Sequence, residues 1–174
     1  MIRSRESRQR AKNILEMFRV NEPPTDVHGI AGELGFMVIP YDFPEDTSAM
    51  LLIREDAKVI GVNENHAEVR QRFSIAHELG HYLNGHEDFT VRGGQEKIRV
   101  DGEFDFTDPQ QRREQEANEF AAELLMPESM LKRDIAAAGR LDVPALTKRY
   151  NVSEQAMWIQ LIDLKLASQY AAGS

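Results

Sequence analysis

Arg70-Gln71-Arg72-Phe73-Ser74-Ile75-Ala76-His77-Glu78-Leu79-Gly80-His81-Tyr82-Leu83 is the stretch around which the rest of the chain can be organised. Phe73, Ala76, Leu79, Gly80 and Leu83 recur at helical spacing, which predicts an amphipathic helix from about His66 to Leu83. These five residues can face a core, with Arg70 and Arg72 partly outward, and Asn84-Gly85 ends the helix. Positions i and i+4 share a helix face, so His77 and His81 can reach a single cation. Glu78 is rotated off that line; it can reach a water held by the same metal. Two His ligands with a Glu general base is the zinc-hydrolase arrangement.

Upstream, Phe36–Pro40, Met50–Arg54 and Lys58–Asn63 read as strands, with Glu55-Asp56 turning between the last two. The expected fold is α+β: a small, mainly antiparallel three-stranded sheet packed on a zincin-type helix, followed by a helical C-terminal half. Before the sheet, Ala11, Ile14, Leu15 and Phe18 predict an amphipathic helix over Ser4–Val20. Its Arg3, Arg5, Arg8, Arg10 and Lys12 are taken as a solvated face. Asp26 looks like the N-cap of a short helix, Val27–Leu34, closed by Gly35.

Downstream, the acidic, glycine-punctuated segment 86–109 is a long loop, of a length often tied to function. Pro109 opens a helix over Gln110–Leu125, and helices follow at Glu128–Ala138, Val143–Tyr150 and Ser153–Ala167. The organisation expected is an N-terminal helix (1–20), a zincin-like core (21–127) and a C-terminal helical segment packed on it (128–174).

A catalytic zinc site usually takes three protein ligands and keeps a position for water. There is no cysteine, so the third must be His, Asp or Glu. Glu114 and Asn118 share one face of the 110–125 helix, where Ala117, Ala121 and Ala122 permit close approach of another helix. Glu114 can bind the metal while Asn118 hydrogen-bonds a ligand or substrate. Glu116 is the rival, about 200° around the helix, so both cannot aim at one ion. Glu114 is favoured for the company of Asn118 and Ala121. His28 and His66 lack partners at ligand spacing. His86 is read as a surface residue, with a role at the mouth of the site as the alternative.

Net charge of −8 argues against a broad nucleic-acid-binding face, and no apolar run approaches a membrane span. The absence of cysteine fits a reducing cytoplasm. Residues 146–157 have a helix-turn-helix rhythm, but Met157, Trp158, Ile159, Leu161, Ile162 and Leu164 are apolar where base recognition needs polar side chains. This tail is expected to pack on the core or a partner.

The 70–83 stretch, together with Glu114-Gln115-Glu116-Ala117-Asn118-Glu119-Phe120-Ala121-Ala122-Glu123-Leu124-Leu125-Met126-Pro127, resembles the ImmA/IrrE family of bacterial metallo-endopeptidases. Pro24-Thr25-Asp26-Val27 and Gly35 are also similar to that family's opening segment. The resemblance implies a gluzincin-like site: His77, His81 and Glu114 as zinc ligands and Glu78 as general base. It further implies a regulatory role, inactivating a helix-turn-helix repressor. The family often carries a His four residues after the second ligand, whereas here His86 is one residue later.

The function expected is a cytoplasmic zinc endopeptidase that cleaves a separate DNA-binding repressor or antitoxin-like chain, without binding nucleic acid or membrane itself. Tyr82 and His86 are candidates for stabilising the transition state. The alternative is a module that inactivates such a repressor by binding alone.

Overall fold

The computed structural model describes residues 2–86 and 108–171. The turn signals and acidic residues of the expected 86–109 loop lie almost wholly outside those described residues.

The chain begins with α1 (Ile2–Met17) and α2 (Val27–Glu33), followed by β1 (Phe36–Tyr41), β2 (Ala49–Ile53) and β3 (Lys58–Asn63). The long helix α3 (Glu68–Leu83) comes next, then α4 (Pro109–Leu125), α5 (Glu128–Ala138), α6 (Val143–Tyr150), α7 (Glu154–Asp163) and α8 (Leu166–Ala171). The α+β architecture is the expected one: a three-stranded sheet against the histidine-bearing helix, then helices.

The strand order is β1-β3-β2. β2 and β3 form an antiparallel hairpin closed by Arg54 N–H on Ala57 O at 2.8 Å, while β1 pairs parallel with β3 from Phe36↔Lys58 to Tyr41↔Asn63. The sheet is thus mixed, because the chain leaves β1, turns back along the far edge as β2 and returns up the middle. Asn63 stabilises that crossover: its Nδ2 donates to Phe43 O, Pro44 O and Thr47 O at 3.1, 3.1 and 2.8 Å. Ala49, Leu51, Ile60 and Val62 are buried in the core that α3 shares through Ile75, Ala76 and Leu79.

Helix ends follow local chemistry. Asp26 caps α2 through Gly29 N–H, Gly35 leaves it at φ 84°, and Asp108 caps α4 ahead of Pro109. One expected helix is two: Lys165 adopts φ 60°, so the Ser153–Ala167 prediction divides into α7 and α8. Met157 and Leu161 pack inward, whereas Trp158, Ile159 and Ile162 stay exposed.

Two charged groups depart from expectation. Arg72 is buried rather than partly outward, donating to Thr25 O at 2.9 Å and Asn151 O at 3.2 Å. It ties the entry to α2 and the exit from α6 onto α3. The basic residues of α1 are not simply solvated: Arg8 reaches Gln160 Oε1 (3.1 Å) and Glu123 (3.4 Å), Arg10 reaches Asn84 (3.0 Å) and Lys12 reaches Glu128 (3.2 Å). With Ala11, Ile14 and Leu15 buried, α1 is packed into the fold along α4.

Candidate metal centre

The crossing of α3 and α4 builds the site. Gly80 on α3 meets Ala117 and Phe120 on α4, and the absence of a side chain at residue 80 lets the two backbones come together. One turn away from that contact, Glu114 Oε2 lies 3.2 Å from His77 Nε2 and 3.5 Å from His81 Nε2. The two Nε2 atoms are 2.9 Å apart. One ligand atom from each of the three residues falls within 4.8 Å of the others, and among the described residues this is the group able to hold a metal ion.

Each imidazole is oriented from behind. His77 Nδ1 is 2.8 Å from Asn118 Oδ1, so an N–H there donates to the amide oxygen and leaves Nε2 with its lone pair toward the cluster. His81 Nδ1 is 2.9 Å from His86 Nδ1, and His86 Nε2 is 3.0 Å from Glu116 Oε2. Glu78, next to His77 in sequence, is 5% exposed and acts electrostatically on His77.

Burial opposes charge on all three cluster residues, and their mutual contacts decide the outcome. For His81, burial dominates over Glu114, and the neighbouring His77 and His86 add to it, holding its pKa down to about 4. For His77, burial is outweighed by the Glu114 hydrogen bond and by the charges of Glu78 and Glu114, and its pKa is raised. For Glu114, burial is outweighed by hydrogen bonds from both histidines, which hold it far below the usual carboxylate range. A deprotonated carboxylate beside a neutral imidazole is the state a cation requires. Two imidazole nitrogens and one carboxylate oxygen suit a divalent transition ion, zinc among them.

Of the residues singled out in the sequence, His77, His81 and Glu114 converge and Asn118 stands directly behind His77. Glu116, the rival to Glu114, points instead to His86. His86 is buried rather than on the surface, because Gly85 at φ 69° turns the chain back under the end of α3. Tyr82 is on the sheet side: its hydroxyl accepts from Lys58 Nζ at 2.8 Å and its ring meets Phe36 edge-on. The link from His86 to Glu116 had no sequence signal, since the two residues are far apart in the chain and follow no motif spacing.

A helix offering two imidazoles and an acid, crossed by a second helix offering a carboxylate, is the arrangement that an HExxH metal site requires. The family can be given as well: residues 31–161 match the model of the IrrE N-terminal-like domain, a peptidase family, and the chain belongs to it. No curated protein gives a significant match. Among the solved structures that match is a Mycobacterium tuberculosis transcriptional regulator, at TM-score 0.62 and 20% identity. The match covers 88% of this chain and 45% of that one, so this chain spans less than half of the relative's length. The likeness is one of fold. No helix among the described residues is long and apolar enough to cross a membrane.

Proposed function

We propose that this chain is a zinc-dependent endopeptidase acting on a protein regulator, with a separate helix-turn-helix repressor or antitoxin-like chain as its substrate. The observation that carries this reading is the convergence of His77, His81 and Glu114 within 4.8 Å, beside Glu78. Zinc bound there would polarise a peptide carbonyl and acidify a water. Glu78 is the base in this reading: its carboxylate takes the proton from the attacking water and hands it to the departing amine. Asn118 keeps His77 in the tautomer that presents Nε2. Glu114 supplies the negative charge that makes the three-residue set favourable to a dication.

The regulatory substrate is supported by the family to which the chain belongs and by the transcriptional regulator whose fold it shares. A cytoplasmic setting accords with the absence of cysteine.

The test is Glu78→Gln, assayed for zinc content and for cleavage of a candidate repressor by intact mass. Zinc retained with cleavage lost is the expected result. Cleavage at the wild-type rate would refute the role of Glu78. If the variant binds the repressor and releases it from DNA as well as wild type does, with no peptide bond broken by either, the chain works by binding alone.

A further inference from the structure

The contacts behind His81 form a longer chain than those behind His77. His77 leans on an amide, Asn118, at 2.8 Å. His81 leans on a second imidazole, His86, at 2.9 Å between Nδ1 atoms, and that imidazole leans on the Glu116 carboxylate at 3.0 Å. His86 is 8% exposed, and its backbone N–H donates to His81 O at 3.2 Å, so main chain and side chain both bind it to the end of α3. Glu116 is fixed through its own backbone, where its carbonyl accepts from Ser7 Oγ of α1 and from Asn84 Nδ2 (3.4 Å).

These contacts admit one proton arrangement once His81 Nε2 faces a cation. Nε2 must then carry a lone pair, which puts the proton of a neutral His81 on Nδ1. That N–H points at His86 Nδ1, so His86 must accept there and carry its own proton on Nε2. The Nε2–H in turn points at Glu116 Oε2, and an ionised carboxylate is an acceptor only. Each donor meets an acceptor. Reversing His86 would set two N–H groups against each other at Nδ1 and leave a lone pair facing a carboxylate at Nε2.

We propose that His86 and Glu116 are positioning residues for the metal ligand His81, a relay that fixes its tautomer and ring orientation. This rests on the metal-centre reading above and extends it to residues that neither touch the metal nor lie on a shared motif. It also gives Glu116 a purpose distinct from that of Glu114 on the same helix.

The experiment measures zinc affinity by chelator competition, and imidazole tautomers by ¹⁵N NMR of the zinc-loaded full chain. His86→Phe removes the acceptor and should weaken zinc binding by about 10- to 100-fold, the usual effect of losing an outer hydrogen-bond partner of a ligand. His86→Gln places an amide oxygen near His81 Nδ1 and should recover most of that loss, which separates a lost hydrogen bond from a misfolded chain. In Glu116→Leu, His86 should keep its Nε2–H, because His81 Nδ1–H still needs an acceptor. That Nε2–H loses its carboxylate partner, so its ¹⁵N resonance should shift, with a smaller loss of zinc affinity. Variants that bind zinc within twofold of wild type and keep wild-type tautomers would overturn the relay alone. A wild-type chain that takes up no zinc would overturn the metal-centre reading and the relay with it.

Discussion

The backbone of Ala117 occupies the space into which a side chain on Gly80 would grow: a Cβ there would lie 2.9 Å from Ala117 O and 3.1 Å from Ala117 Cα. The Ala117 atoms are main-chain and the third crowding atom, Phe120 Cβ at 3.1 Å, is fixed by its backbone, so rotamer changes cannot relieve it. Gly80→Ala therefore sets a helix-propensity gain of about 1 kcal/mol against an overpacking cost of about 1–3 kcal/mol. We expect the clash to win, lowering the thermal midpoint and weakening zinc affinity as α4 is pushed away from His77 and His81. Ala117→Gly should give no rescue, because it removes none of the clashing atoms. A Gly80→Ala chain as stable as wild type, with the same zinc affinity, would show that the close crossing is dispensable.

Zinc should stabilise the fold through Glu114. At a free concentration a hundredfold above Kd, a ligand specific to the folded state contributes about 2.7 kcal/mol. For a chain of this size that is a rise of roughly 5–10 °C in Tm. Glu114→Ala should abolish the rise, whereas Asn118→Ala should keep it but require about 10- to 100-fold more zinc. Differential scanning fluorimetry across a zinc titration distinguishes the two.

Protons and metal should compete at His77. Its pKa is raised above the ordinary 6.5, so part of the metal-free chain carries a proton there near neutrality. His81, held down to about 4, carries none. Zinc uptake near pH 7 should therefore release protons, and affinity should fall as the pH drops through the His77 value. Calorimetry in buffers of different ionisation enthalpy counts the protons. For the metal-free fold the sign is reversed: stability contributed by a raised His77 is full below 6.5 and is lost as pH rises through its folded value. The lowered His81 and His86 act the other way, adding stability as pH rises through their unfolded value, and this gain is complete only about one unit above 6.5. Urea midpoints of the zinc-free chain should thus decline only above about pH 7.5, where His81 and His86 no longer contribute a slope. Asn118→Ala, which removes one support of the raised His77 value, should soften the decline.

Arg72→Met should destabilise the chain without touching the metal centre. The buried guanidinium donates to Thr25 O and Asn151 O; removing it takes this donor from Asn151 O and leaves Thr25 O with the Val27 N–H. The expected cost is about 1–3 kcal/mol, read as a shift in urea midpoint. Zinc affinity of the folded fraction should be unchanged.

What the sequence made legible was what depends on spacing. His77 and His81 share a face because four residues make about one helical turn, and Glu114 shares a face with Asn118 for the same reason. Small residues at Ala117, Ala121 and Ala122 signalled that another helix could approach closely; that Gly80 is the point of contact was not legible. Contacts that depend on how distant segments dock were not legible. Arg72 looked outward because its partners, Thr25 and Asn151, come from opposite ends of the chain. His86 reads as a surface residue in the sequence because the turn at Gly85, and the Glu116 it brings into reach, follow no periodicity. The parallel pairing of β1 with β3 was hidden for a related reason: strand order depends on the crossover that Asn63 holds, whereas strand composition does not.

The family match begins at residue 31, but the body that has to hold its shape begins earlier. α1 buries Ala11, Ile14 and Leu15, and Ser7 donates to the same Glu116 carbonyl that Asn84 meets from the end of α3. Shared ancestry and mechanical integrity thus have different borders in this chain. An expression fragment trimmed to the matched segment would keep His77, His81 and Glu114 and lose the brace on which the two helices carrying them rest.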